Sequence, residues 1–488
     1  MEHPTTKNAW KKLERHKNNF SKTSSSSSLI SQVASDNIVI DFSGQRVNDE
    51  ILTTLIELAI ESNLQEQINA LLAGHPINNT ENRPALHTAL RAHENEVIHV
   101  NDQNVVTDVL QARQHMKDIS TQIRNGEWVG YSGKPITDVV NIGIGGSMLG
   151  PFFCVNALSD YVTPHVKFHF IAEIDPNAFL RVSAKLNPET TLFIISSKSF
   201  TTPETIYNMK KAFAWINQKQ HFDKHFIAVT ANITKALQYG FSHVLAIWDW
   251  VGGRYSVCSS INLITCIAIG FEKFSEILSG AKMMDNHFHS TEFSKNLPVL
   301  LGLLGIWNIN FLKNNNHLVL TYSEDLEYFV PYLQQLDMES NGKSINKQGR
   351  QIDYDTGPII WGGPGNQAQH SYYQLLCQGT HKIATDLISV KTFEDCAINQ
   401  MCLGHRHVLI QGVTYEDNPH SYIPGEVAVN HLSIADCTPK TLGSLIALYE
   451  HKIFVQGIIW NINSFDQPGV ESSKRMLNEY SQLHLEIN

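Results

Sequence analysis

Cysteine is scarce in this chain: seven residues, at positions 154, 258, 266, 377, 396, 402 and 437, odd in number and never in Cys-x-x-Cys spacing. That scatter excludes a disulfide framework and a zinc ribbon, and fits reduced thiols in a cytoplasmic protein. Positive charge is short as well. Lys and Arg number 37 against 47 Asp and Glu, a net charge of −10, and no basic tract offsets it, so no nucleic-acid surface is expected. The basic residues near the start, Lys11, Lys12, Arg15, His16 and Lys17, share an amphipathic pattern with Trp10, Leu13 and Phe20 and read as the solvated face of a docking helix. No apolar run is long and unbroken enough for a membrane span. The longest, 297–312, is interrupted by Gly302, Gly305, Asn308 and Asn310 and reads as a buried helix. The N-terminus is polar, unlike a secretory signal. Low complexity is confined to the serine-rich run ending at Ser28, read as a short flexible link.

What the chain does have is alternation. Helical patterns occupy 48–73 and 84–124, and short apolar strands then recur at 139–144, 166–171, 192–196, 226–230 and 244–248, separated by helices. Such alternation describes a parallel sheet covered on both faces. A helix-rich stretch follows. A second alternating set then places strands at 317–322, 357–361, 384–389 and 407–411, with helices over 325–337 and 368–379. A long helix over 443–462 and a last one from Val470 close the pattern, with Pro468 and Gly469 marking the turn between them.

Three strand ends carry polar loops. After the first strand comes Gly143-Ile-Gly145-Gly146-Ser147-Met148. The dinucleotide fingerprint would need glycine at 148, so that reading fails, yet glycine backbone and the Ser147 hydroxyl suit a smaller oxyanion. After the third strand, Ser196-Ser197-Lys198-Ser199 is followed by Thr201, Thr202 and a helix opening at Pro203. Hydroxyls, an ammonium and free helix N–H groups gathered at a strand's carboxyl end suit a phosphate. Lys198-Ser199 imitates the end of a nucleotide-binding P-loop, but the required glycines do not precede it. After the fifth strand, Gly252-Gly253-Arg254 aims one guanidinium, either at developing negative charge or into an interdomain salt bridge. Two further candidates stand alone: Glu339, in Met338-Glu-Ser-Asn-Gly342-Lys343 at a helix end with Gly342 as its cap, and His370 at the start of a helix. His287/His289 and His405/His407 lack nearby acidic or cysteine partners and are not read as metal ligands.

Taken together, these islands resemble the glucose-6-phosphate isomerase family. The resemblance is carried by Asn79-Thr-Glu-Asn-Arg-Pro-Ala-Leu-His-Thr-Ala-Leu-Arg91, Ile144-Gly-Gly-Ser147, Ser197-Lys-Ser-Phe-Thr-Thr202, 249–262, 338–343, 369–380 and 465–474, in the family's order. It implies an α/β fold of two doubly wound, parallel-sheet sugar-isomerase lobes with added N- and C-terminal helices. The implied division is a helical region over 1–100, a smaller lobe over 101–270, a larger lobe over 271–450 and a C-terminal helical segment over 451–488. It further implies a cytoplasmic homodimer that interconverts glucose 6-phosphate and fructose 6-phosphate in glycolysis and gluconeogenesis, without metal or organic cofactor. By motif position, Gly146, Ser147, Ser197, Lys198, Ser199, Thr202 and Gln467 would hold the substrate and its phosphate. Glu339 would carry the proton between C2 and C1, Arg254 would stabilise the enediolate, and Lys474 with a partner subunit's counterpart of His370 would open and close the ring.

The chain departs from the family pattern at Ser199, Ala368, Cys377, Pro468, Ser472 and Ser473, but the spacing from Gln467 to Lys474 is intact. A broader isomerase that also accepts mannose 6-phosphate, and a non-catalytic phosphosugar-binding regulator on the same lobes, are the alternative readings. The regulator would have no use for Glu339, His370 and Lys474 together.

Overall fold

A computed structural model describes residues 3–19, 31–393, 395–414 and 418–487. The serine-rich run lies outside them. The N-terminal region contributes more than helices. Before the helices Asp49–Glu61 and Leu64–Ala73 run two strands, β1 (Gln32–Ala34) and β2 (Ile38–Gly44), and β2 buries every second residue. The helical pattern expected over 84–124 is interrupted by extended backbone. His87–Arg91 forms a short 3₁₀ turn, a two-residue hairpin (β3, His99–Val100; β4, Gln103–Asn104) follows, and the helix itself is Val105–Arg124.

The first sheet comprises β5 (Asp138–Ile142), β6 (Lys167–Ile171), β7 (Thr191–Ser196), β8 (Phe226–Thr230) and β9 (His243–Ala246), all parallel, in the order β6-β5-β7-β8-β9. Strands β5, β7 and β8 are buried along their whole length, as continuous apolar runs covered on both faces require. The order reverses between β5 and β7. At that switch point the loops after two neighbouring strands diverge to opposite faces and leave a crevice at the carboxyl edge. Both polar loops of the sequence, 143–148 and 196–202, lie at this point.

The second sheet comprises β10 (Asn316–Thr321), β11 (Ile359–Pro364), β12 (Ile383–Val390) and β13 (Ala428–Ile434), in the order β1-β2-β13-β12-β10-β11. Strands β10 to β13 are parallel, whereas β1 and β2 are added antiparallel at one edge. The strand expected at 407–411 is instead the end of the helix Ala397–Gln411, and β13 takes the fourth place. A short apolar run fits either period, and here helix length decided the outcome.

Between the sheets lies a helical core. Pro439–Ile459 is buried except at Lys440 and packs along Phe271–Ser290, with the Ser444 hydroxyl donating to the Gly280 carbonyl at 2.8 Å. The apolar stretch at 297–312 is a buried helix, as expected, ending in one π-helical turn over Trp307–Phe311. Among the described residues no helix is long and apolar enough to cross a membrane.

Candidate active site

A cleft of about 800 Å³ opens at the β5/β7 switch point, lined by Gly146, Ser147, Ser197, Lys198, Ser199, Thr202 and Gln467 among others. Every residue expected to hold phosphate therefore faces one space. The loop that closes it is held by a buried aromatic ring. Phe200 adopts a left-handed backbone (φ 53°) but is fully buried, edge-on to Phe241 at 5.5 Å. Left-handed backbone costs a non-glycine residue roughly 1–2 kcal/mol, and ring burial offsets about that much. The turn so fixed lets the Ser197 hydroxyl accept the Phe200 N–H at 3.2 Å and meet the Thr202 hydroxyl at 3.2 Å. The helix Pro203–Ile216 then starts with no side-chain cap, so its first N–H groups remain for a ligand.

Lys198 differs from expectation in detail. Its ammonium donates to the carbonyls of Asp249 and Val251, each at 2.9 Å, beyond the end of β9. Burial, reinforced by Arg83, lowers it to about 8. Sequence reasoning passed over Arg83 and Thr205, which also line the cleft. The Thr205 hydroxyl is buried without a partner, one turn into the helix. Its position after Pro203 was the available signal.

Arg254 stands in a wall behind the cleft: neither it nor Glu339 lines the space, which it meets through Gly253 and Gln467. It is buried and fully engaged: Nε donates to the Ser340 hydroxyl (2.7 Å), Nη1 to the Gln467 side-chain carbonyl (3.0 Å), and Nη2 to the carbonyls of Ser464 (2.7 Å) and Asp466 (3.0 Å). Glu339 stands 3.6 Å from Nη1 and accepts from Gln335 Nε2 at 2.9 Å. It ends a π-helical turn, Gln334–Glu339, in which the wider winding sets the Gln335 amide under the carboxylate.

Two glycines join this wall to the cleft. Any Cβ at Gly146 would strike the Gly253 carbonyl, so the two loops touch backbone to backbone. A Cβ at Gly145 (φ 58°) would lie 3.0 Å from Gln335 Nε2. Gly342, expected to cap the helix in the left-handed conformation, does not adopt it. The Lys343 ammonium satisfies the free carbonyls of Glu339 (3.2 Å) and Ser340 (2.8 Å) instead.

Behind Arg254 lies a buried ionic cluster. Arg91 clasps Asp285 with two hydrogen bonds (2.7 and 2.6 Å) and Glu450 with one (2.8 Å), and His451 bonds Asp285 at 2.7 Å. Burial alone would raise Asp285, but Arg91 and His451 outweigh it and hold the carboxyl down at about 2. Burial pushes Glu450 up to about 7 despite Arg91. His87 stacks on Tyr255 (4.8 Å), whose hydroxyl meets that of Ser340 at 2.9 Å, so the cluster reaches the arginine through two side chains.

The remaining expected residues stand apart. His370 is exposed at the end of the short helix Gly365–Gln369, and Lys474 is exposed on the helix Pro468–Ile487; neither lines the cleft. His287 is structural, accepting the Leu297 N–H at 3.0 Å, and no group of three or more His, Cys, Asp or Glu among the described residues is arranged to hold a metal.

Residues 41–486 match the model of the family described as phosphoglucose isomerase. A glucose-6-phosphate isomerase of Legionella pneumophila (strain Paris) is 58% identical over 437 residues, covering 90% of this chain and 88% of its own length. That of Shewanella halifaxensis is 41% identical over 511 residues, covering 97% and 94%. The crystal structure of a glucose-6-phosphate isomerase from Chlamydia trachomatis superposes with a TM-score of 0.92 at 29% identity, covering 99% of this chain and 97% of that one. A structure from Thermus thermophilus shares the fold, with a TM-score of 0.69 at 22% identity over 91% of this chain and 99% of that one. On sequence and fold together, this chain belongs to the phosphoglucose isomerase family.

Proposed function

We propose that the chain catalyses the reversible isomerisation of glucose 6-phosphate and fructose 6-phosphate through an enediolate. The observation that carries this reading is the Glu339–Arg254 pair, 3.6 Å apart and one side chain behind a hydroxyl-lined cleft. Aldose–ketose isomerisation needs one carboxylate to take and return a carbon-bound proton, and one cation for the oxygen that becomes negative. In the glucose 6-phosphate direction, Glu339 removes the C2 proton and the freed electron pair moves onto the C1 carbonyl oxygen. Arg254, already held by four acceptors, stabilises that charge without reorganising. The C2 hydroxyl proton passes to O1, and Glu339 returns its proton to C1 as the C2–O bond becomes the ketone carbonyl.

Ser147, Ser197, Ser199 and Thr202, with the N-terminus of Pro203–Ile216 and the charge of Lys198, anchor the phosphate. Binding energy at that end orients the reacting carbons. Gly146 and Gln467 complete the wall. Ring opening falls to Lys474 and to His370 supplied by a second copy of the chain; the exposure of His370 and its distance from the cleft's lining support a homodimer. We place the enzyme in the cytoplasm, with the free cysteines as support.

The test is Glu339→Gln. It is expected to lower turnover of fructose 6-phosphate by about 10²–10⁴-fold, the usual contribution of a general base, while binding of the sugar phosphate persists. A variant as active as the wild type would remove Glu339 from this role.

A further inference from the structure

Lys343 sits where the two halves of the chemistry meet. Its ammonium donates to the carbonyls of Glu339 and Ser340 at the end of the π-helical turn, and to those of Asn463 (3.0 Å) and Asp466 (2.9 Å) in the facing loop. It also pairs with the Asp466 carboxylate at 3.2 Å. The same loop holds Arg254 through the Ser464 and Asp466 carbonyls. The segment bearing the base and the segment bearing the guanidinium's acceptors are thus tied to one half-buried cation. We propose that Lys343 is a positioning residue that keeps Glu339 and Arg254 in reacting register, so that its charge governs turnover rather than substrate binding.

The physical case rests on number and kind of partner. Four carbonyls and one carboxylate converge on a group with three N–H donors, so two contacts are shared and the positive charge itself is needed. A neutral side chain would leave the Glu339 and Ser340 carbonyls facing two others with nothing between them. A shift of about 1 Å in a reacting group can cost on the order of 100-fold in rate, and Lys343 itself does not line the cleft where phosphate is held. The charged groups facing Lys343 are Glu339 from its own turn, Asp466 from the loop, and Arg254. Burial, with Arg254 beside it, lowers the ammonium to about 8 against the pull of Asp466. The clamp is therefore intact at neutral pH and weakens as pH rises through about 8.

This inference rests on the proposed isomerase reading, and the experiment separates the two. Steady-state kcat and KM for fructose 6-phosphate would be measured from mildly acidic to alkaline pH in the wild type, Lys343→Met and Asp466→Asn. Lys343→Met is expected to lower kcat about 100-fold with KM changed by less than about threefold, and to lose the alkaline fall in kcat that the wild type shows near pH 8. Asp466→Asn, which removes the carboxylate that sustains the charge, is expected to move that fall to lower pH. A Lys343→Met protein whose kcat stays within about threefold of wild type, or that keeps the same alkaline fall, would overturn the proposal. If that variant does not fold, Asp466→Asn decides, and an unmoved alkaline fall overturns it. Wild-type protein without turnover would instead sink the isomerase reading, and the inference with it.

Discussion

The cleft in front of Arg254 and the wall behind it are built from different materials. In front, at the β5/β7 switch point, the groups are short hydroxyls, glycine backbone and a helix N-terminus, half open to water. Behind, the groups are ionisable side chains drawn out of water: Arg91, Asp285, Glu450, His451 and Arg254, all buried, and the half-buried Lys343 against the loop 463–466. The front can accept a ligand because its helix N-terminus has no side-chain cap and the Thr205 hydroxyl no partner; the back can hold position because Arg254 and Lys343 are each held by four hydrogen bonds. The two lysines make the contrast in miniature. Lys198 and Lys343 both bond backbone carbonyls and both are lowered to about 8 by burial, but one lines the cleft and the other joins the Glu339 turn to the loop 463–466.

Three substitutions would break or sharpen that contrast. The largest effect belongs to the core. Asp285→Asn leaves Arg91 and His451 without their carboxylate, and breaking a buried ion pair from one side costs about 3–5 kcal/mol, to be read as a fall in the urea midpoint. Asp285 is held at about 2 against an ordinary 3.8, so the stability it supplies is complete above pH 4 and fades as pH drops toward 2. A wild type equally stable across that range would contradict the assignment.

Next is the seam between front and back. Gly146→Ala puts a methyl into the Gly253 carbonyl, separating the loop of Ser147 from that of Arg254. A fall of about 100-fold in kcat/KM is expected with the far-ultraviolet circular dichroism unchanged.

The smallest effect lies in front. Lys198→Met should raise KM for fructose 6-phosphate about 10-fold near neutral pH, the scale of one charge-assisted hydrogen bond, and leave kcat nearly untouched. Because the ammonium is lowered to about 8, wild-type KM should climb as pH rises through that value while the variant's stays flat. A kcat effect larger than the KM effect would show that the front and back are not separable.

The front was legible in the sequence because it is local. A strand, a turn of serines and threonines and a helix start occupy consecutive residues, and the strand order then places two such loops together. The back was not. Arg254 could be noticed from its glycines, but its acceptors come from residues 464–467 and 340, and no periodicity connects them. Gly342 looked like a cap because glycine usually is one, yet the ammonium of the next residue caps the carbonyls of Glu339 and Ser340, itself held by carbonyls about 120 residues away. The π-helical turn under Glu339 leaves no mark in a pattern of period 3.6. In the second sheet, β2 alternates clearly but was passed over between the serine-rich run and a helix. The apolar run at 407–411 was too short to tell strand from helix.

One tie has a consequence for how the molecule is made. The loop 463–466 is fastened to the other end of the chain, where Thr80 donates to the Asp466 carboxylate at 2.6 Å across 386 positions. At ribosomal rates of roughly 5–20 residues per second, Thr80 waits about 20–80 s for that partner. The hydroxyl-lined cleft is finished much earlier, apart from Gln467 and Glu471. A nascent chain thus has most of the cleft long before it has the loop whose carbonyls hold Arg254.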